Sequence, residues 1–105
     1  MNNSIESVDI QVDELVRVEP YRLIDIRTPA EVSLQPLEEA HEHIPMEQLL
    51  QLPDQIEMGE YTVLVCAAGV RTKMTAEAFR KAGYMNVYSL VGGEPALRKF
   101  RSRAG

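Results

Sequence analysis

Tyr61-Thr62-Val63-Leu64-Val65-Cys66, running directly into Ala67-Ala68-Gly69-Val70-Arg71-Thr72, is the stretch whose reading decides the fold. The first six residues form an almost unbroken run of β-branched and apolar side chains, the pattern of a central strand buried on both faces. A helical pattern follows at once, from about Val70 to Ala82. Val70, Met74, Ala78, Phe79 and Ala82 share one expected face, and Lys73, Glu77, Arg80 and Lys81 share another. The pairs Lys73–Glu77 and Glu77–Lys81 are spaced four apart, and Gly83 stands at the C-cap position.

Outward from this unit, short apolar runs alternate with helical patterns, which predicts an α/β fold. Downstream, Val87–Leu90 reads as the last strand, and Gly92-Gly93 turns the chain into a short basic helix. Upstream, Met46–Leu52 reads as a short helix, and Leu37–Ile44 is ambiguous, with room for a short strand near Ala40–His43. Tyr21–Ile26 reads as the second strand. It ends in the polar turn Arg27-Thr28-Pro29, and proline suits the first turn of a helix running to about Leu34. Ser7–Ile10 reads as the first strand, followed by a helix-like stretch over Val12–Val18.

With 105 residues and 45% hydrophobic content, the sequence predicts one domain over residues 1–105. No apolar run approaches the roughly 20 residues of a membrane helix, so no membrane partner is expected. The opening MNNSIESVDIQ has neither a basic nor an apolar leader segment. The single cysteine excludes an intrachain disulfide and a CxxC zinc site. A cytoplasmic, reducing location is the expectation. A net charge of −5 argues against a nucleic-acid partner. The charge is uneven, with 14 acids and 3 bases in residues 1–60, against 2 acids and 8 bases in residues 61–105. The lone cysteine lies in the basic segment, as an anion-facing site would have it.

Cys66 ends a strand and faces a helix start. The first N–H groups of a helix lack internal partners, and the dipole places positive potential there. A loop over that start aims several N–H groups at one sulfur, Arg71 adds a charge, and Gly69 allows a left-handed turn. Such settings favour thiolate over thiol. The competing reading is a buried structural cysteine, common for a lone Cys in a strand; the glycine, the arginine and the helix start favour the reactive one. Asp25 and Arg27 end a strand on the edge where ligands bind in parallel α/β sheets; a contact with substrate is one reading, and fixing the loop through a salt bridge, with Glu31 as a further partner, is the favoured one. His41 and His43 alternate like ligands on a strand, but no third or fourth ligand lies nearby, so no metal is expected. The basic Arg98, Lys99, Arg101 and Arg103 read as a solvated helix end.

CAAGVRT resembles the active-site loop of rhodanese-like domains, Cys-x-x-Gly-x-Arg-Ser/Thr. LIDIRTPAEV resembles the family's Asp-x-Arg turn and the acid-bearing helix after it. HIPMEQL resembles its Ile-Pro segment, and AGYMNVYSLVGGEPAL its Gly-Tyr, Asn-Val and Gly-Gly signature. Together these cover about Leu23 to Phe100 in the right order. The resemblance implies a parallel sheet of about five strands with helices on both faces. It also implies a sulfurtransferase that uses no cofactor and works by double displacement. Cys66 matches the nucleophile that takes a sulfane sulfur from a small donor, such as thiosulfate or a persulfide, and passes it to a thiol or protein acceptor. Ala67, Ala68, Gly69, Val70 and Arg71 match the loop whose amides cradle the sulfur. The Arg71 fork suits an anionic donor, and Thr72 fits the Ser/Thr position.

The sequence departs from the family in three places. No Trp follows Gly92-Gly93, where Leu97 and Phe100 stand instead. The His-Ile-Pro-Gly-Ala motif is incomplete, so the third strand is expected to be short. Positions 67 and 68 are alanines, where thiosulfate-preferring members can carry bases. Two rival readings differ in chemistry. A cysteine phosphatase or arsenate reductase would use Cys-x5-Arg, a wider ring than the four-residue spacer here. A non-catalytic binding module would typically have lost the cysteine.

Overall fold

The structure is a computed structural model that describes residues 7–39 and 41–104. Ala40, at the start of the short strand expected near 40–43, lies outside the described residues. In chain order the elements are β1 (Asp9–Ile10), a 3-10 helix (Val12–Val18), β2 (Tyr21–Asp25), α1 (Pro29–Leu34), β3 (Glu42–His43) and α2 (Met46–Gln51). A 3-10 turn (Pro53–Gln55), β4 (Tyr61–Val65), α3 (Val70–Lys81), β5 (Val87–Leu90) and α4 (Gly93–Ala104) complete them. The five strands form one sheet in the order β1-β5-β4-β2-β3, and every pairing is parallel. The run at 61–65 is the middle strand, with Leu23 opposite Val63 and Asp25 opposite Val65. The edge strands β1 and β3 are two residues each.

Period-2 alternation divides the core between the sheet's two faces. On one face Ile24, Ile26, Leu64, Cys66 and Val87 pack with Leu49 of α2 and with Ala76 and Phe79 of α3. On the other, Leu23, Val63, Val65 and Leu90 pack with Leu15 and Val18 of the 3-10 helix and with Leu97 of α4. No helix among the described residues is long and apolar enough to cross a membrane.

Three expectations are corrected. First, the C-terminal helix runs for 12 residues where a short one was expected, while the helix-like stretch expected at 12–18 is present, wound as a 3-10 helix. Second, α3 turns a different face to the sheet. Val70 and Met74 are 66% and 62% exposed, and Thr72, Thr75, Ala76, Phe79 and Arg80 are buried. Hydrogen bonding explains the change. Thr72 Oγ1 lies 2.8 Å from Ser89 Oγ, Thr75 Oγ1 donates to the Arg71 carbonyl, and Arg80 Nε donates to the Val87 carbonyl at 2.9 Å. The two threonines are satisfied inside, and Arg80 lies 4.6 Å over the Tyr88 ring while its Nη2 stays buried without a hydrogen-bond partner among the described residues. Third, β2 ends one residue short of Ile26, and Cys66 stands one residue past the end of β4.

Candidate active site

From β2 the chain leaves toward β3 at one sheet edge, and from β4 it leaves toward β5 on the other side. The carboxyl ends of β2 and β4 therefore flank a topological switch point, the crevice where open α/β sheets bind ligands. The Ile26 amide donates to the Val65 carbonyl across this crevice at 2.9 Å, and Cys66 follows directly.

Cys66 is 1% exposed, and its Sγ faces the start of α3. The Gly69 N–H donates to Sγ at 3.1 Å, and Thr72 Oγ1 lies 3.6 Å away. Gly69 is the N-cap of α3 with φ 91°, a left-handed conformation open to glycine, and this turn aims its amide at the sulfur. Burial pushes the Cys66 thiol up. Hydrogen bonds from the Thr72 hydroxyl and from the amides of Thr72, Ala68 and Gly69 outweigh burial, and the net shift is down. Ala67, Ala68 and Val70 are exposed around the rim. A groove of about 300 Å3 opens beside the loop, with Ala68, Gly69, Val70, Lys73 and Met74 in its wall.

Arg71 does not extend freely over the sulfur. Its two terminal nitrogens meet the two carboxylate oxygens of Glu31, each at 2.8 Å, with the side chains 31% and 34% exposed. Glu31 is fixed in turn by α1. Its Oε1 accepts the Thr28 N–H at 2.9 Å, and Thr28 Oγ1 accepts the Glu31 N–H at 3.2 Å, a reciprocal capping box. The hydrogen bond from Arg71, with help from Thr28, lowers the Glu31 carboxyl to about 2. Asp25 and Arg27 form a buried pair, with Arg27 Nη2 2.7 Å from Asp25 Oδ2 and Nε 2.9 Å from Oδ1. Glu31, expected as a third member of that pair, serves Arg71 instead.

The loop is braced from behind by α4. The Glu94 N–H donates to the Cys66 carbonyl at 2.8 Å. Gly93, at φ 67°, lies so close that a Cβ there would strike the Cys66 carbonyl oxygen and would lie 2.8 Å from Ala68 N. Glu94 is buried and takes both its hydrogen bonds from Arg98, at 2.8 and 2.6 Å. Arg101 reaches Glu39 at 2.9 Å, so the basic helix end is partly committed to ion pairs inside the molecule. His43 Nε2 contacts the Arg27 carbonyl and His41 Nδ1 the Glu39 carbonyl, both positions that tie loops together.

The sequence model of the rhodanese-like domain matches residues 10–99. This chain belongs to the rhodanese-like domain family. The YqhL protein of Bacillus subtilis (strain 168) is 35% identical over 76 residues, covering 69% of this chain and 56% of that protein. The chain thus spans little more than half the length of this relative. A rhodanese-related protein from Thermoplasma volcanium superposes with a TM-score of 0.73 at 22% identity, over 88% of this chain and 91% of that one, a likeness of fold. A NAD-dependent persulfide reductase from A. fulgidus matches with a TM-score of 0.66 at 26% identity, over 84% of this chain and 15% of that one.

In this rhodanese-like frame, Cys66 through Thr72 lead from the end of β4 into α3 with Gly69 and Thr72 against the sulfur, and Asp25 and Arg27 pair with each other at the end of the neighbouring strand β2. Sequence reasoning missed three contributors. Ser89 receives or supplies a hydrogen bond at Thr72; the signal was a serine inside the apolar run VYSL. Glu31 as the partner of Arg71 was signalled by its N3 position after Thr28. Glu94, at the start of α4, gave no sign beyond the two glycines before it.

Proposed function

We propose that this rhodanese-like protein is a sulfurtransferase whose Cys66 carries a sulfane sulfur as a persulfide. The observation that supports this most directly is the Cys66 Sγ set under the Gly69 amide and the Thr72 hydroxyl at the start of α3. In the first half-reaction the Cys66 thiolate attacks the outer sulfur of a donor R–S–SH. The donor S–S bond breaks, R–S⁻ leaves, and Cys66–S–SH remains. With thiosulfate the leaving group is sulfite. In the second half-reaction an acceptor thiolate attacks the outer sulfur of the Cys66 persulfide and regenerates the Cys66 thiolate. With no second cysteine in the chain, this discharge comes from an external small thiol or a protein acceptor. A reducing cytoplasm suits a lone thiol with this task.

The loop amides stabilise the Cys66 thiolate before the donor arrives and again when the acceptor discharges the persulfide, so the electrostatic work is built into the site. The A. fulgidus relative pairs this fold with a persulfide activity in its name, which favours the same substrate chemistry here. A phosphatase reading is less favoured, because four residues between Cys66 and Arg71 leave little room to surround three phosphoryl oxygens. Arg71 is also engaged by Glu31.

Intact mass spectrometry after incubation with a persulfide donor, and separately with thiosulfate, tests the proposal. The protein is expected to gain the mass of one sulfur atom and to lose it on addition of thiol. Cys66→Ser should abolish the gain. Retention of the added sulfur by the serine variant, or hydrolysis of aryl phosphates faster than sulfur transfer, would overturn this reading.

A further inference from the structure

The cations around Cys66 are all matched. Among the described residues, Arg71 is held by Glu31, Arg27 by Asp25 and Arg98 by Glu94, and Lys73 Nζ lies 3.9 Å from Asp9 Oδ2. Positions 67 and 68, on the rim itself, are alanines. A donor approaching the sulfur therefore meets N–H dipoles and an Arg71 charge that lies near Cys66 but is already shared with Glu31.

This matters for the choice of donor. Thiosulfate is a dianion, and it must come within bonding distance of a thiolate. Like charges at that range repel, and more strongly near a protein surface than in bulk water. An unpaired arginine on the rim would offset that repulsion. An alkyl persulfide carries no charge in its S–H form and a single charge when ionised, so it needs less such help. Arg71 is the one arginine in the loop, and Glu31 grips it through both terminal nitrogens while α1 holds Glu31 through Thr28.

We propose that Glu31 is the donor-selectivity residue of this site: by neutralising Arg71 it turns the site away from dianionic oxyanion sulfur donors and toward organic persulfides, which carry at most one charge. The inference rests on the sulfurtransferase reading above. Glu31 acts through Arg71 and touches no reacting atom, so it is a positioning residue.

The decisive variant is Glu31→Gln. Glutamine serves as glutamate does at the N3 position of a capping box, so α1 keeps its start and only the charge is lost. Wild type and variant are loaded with thiosulfate and with the persulfide of a small uncharged thiol. The ratio of thiosulfate to persulfide efficiency is expected to rise about tenfold in Glu31→Gln, and adding Arg71→Gln should cancel the rise. A second readout needs no sulfur transfer. The rate of Cys66 alkylation by iodoacetate, relative to neutral iodoacetamide, should rise in Glu31→Gln in the same sense. A wild type that loads from neither donor overturns the transferase reading and the selectivity built on it. A wild type that loads, with a variant in which either ratio stays within twofold, overturns the role of Glu31 alone.

Discussion

Opposed effects meet on the Cys66 sulfur, where burial favours the thiol and a set of N–H and O–H donors favours the thiolate; the donors prevail. The rate of alkylation should therefore rise with pH to a plateau whose midpoint lies below that of an ordinary free thiol. Thr72→Val removes the hydroxyl next to Sγ and leaves the buried Ser89 hydroxyl without its partner. Its alkylation midpoint should move up, and its reactivity at pH 7 should fall about threefold to tenfold. Stability should fall by about 1–3 kcal/mol, because a buried donor is orphaned. Thr72→Ser should restore most of the reactivity. A midpoint that stays in place would assign the depression to the backbone amides alone. Asp25→Ala leaves the Arg27 charge buried and unpaired, a change that costs about 3–5 kcal/mol. Denaturant melts should register that loss, and Asp25→Leu with Arg27→Met should recover much of it.

At the scale of elements, the site is the junction of three helix starts. The N-cap of α3 faces the sulfur, the capping box of α1 holds Glu31, and the first turn of α4 holds the Cys66 carbonyl. Gly93→Ala should lower stability by about 2–4 kcal/mol, since the added Cβ meets backbone that has no alternative position. A melting temperature within a degree or two of wild type would mean that the loop yields to α4. The Glu31 carboxyl is depressed to about 2 from its ordinary 4.5, so its contribution to stability is fully present above about pH 4.5 and drains away as pH falls toward 2. In acid titrations of unfolding, Glu31→Gln should flatten that part of the curve. The strand–loop–helix unit at 61–82 was legible because its signals are local: a β-branched run, a glycine and a helical period. The face of α3 was not. Thr72, Thr75 and Arg80 read as polar, and their burial depends on partners in β5 and in the first turn of α3 that no hydropathy period reveals. The Arg71–Glu31 pair spans 40 residues of sequence and became visible only when β2 and β4 stood side by side.

For the molecule as a whole, parallel pairing means that β4 has a neighbour on both sides and a helical layer over both faces. Leu64→Ala, at a position with 0% exposure, should destabilise by about 2–5 kcal/mol, measurable as a drop in denaturation midpoint with an unchanged slope. The alternation of strands and helices told the class of fold from sequence alone. The strand order did not follow from periodicity; the likeness to the family implied a parallel sheet of about five strands, and the order β1-β5-β4-β2-β3 is seen only in the structure. The short third strand was expected from the incomplete Ile-Pro motif, and it is two residues long.

Those two-residue borders at β1 and β3 bear on how the protein behaves in a crowd. An open sheet invites a stranger's strand through its unpaired backbone, and the invitation grows with the length of straight edge on offer. Among the described residues a would-be partner finds little ladder on either side to register against, which disfavours edge-to-edge sticking of neighbouring copies. Concentrated solutions should stay free of cross-β aggregates for as long as the centre of the sheet holds. Once heating exposes the long inner run of β4, that protection ends abruptly, and thioflavin fluorescence should appear with the melting transition and not before it.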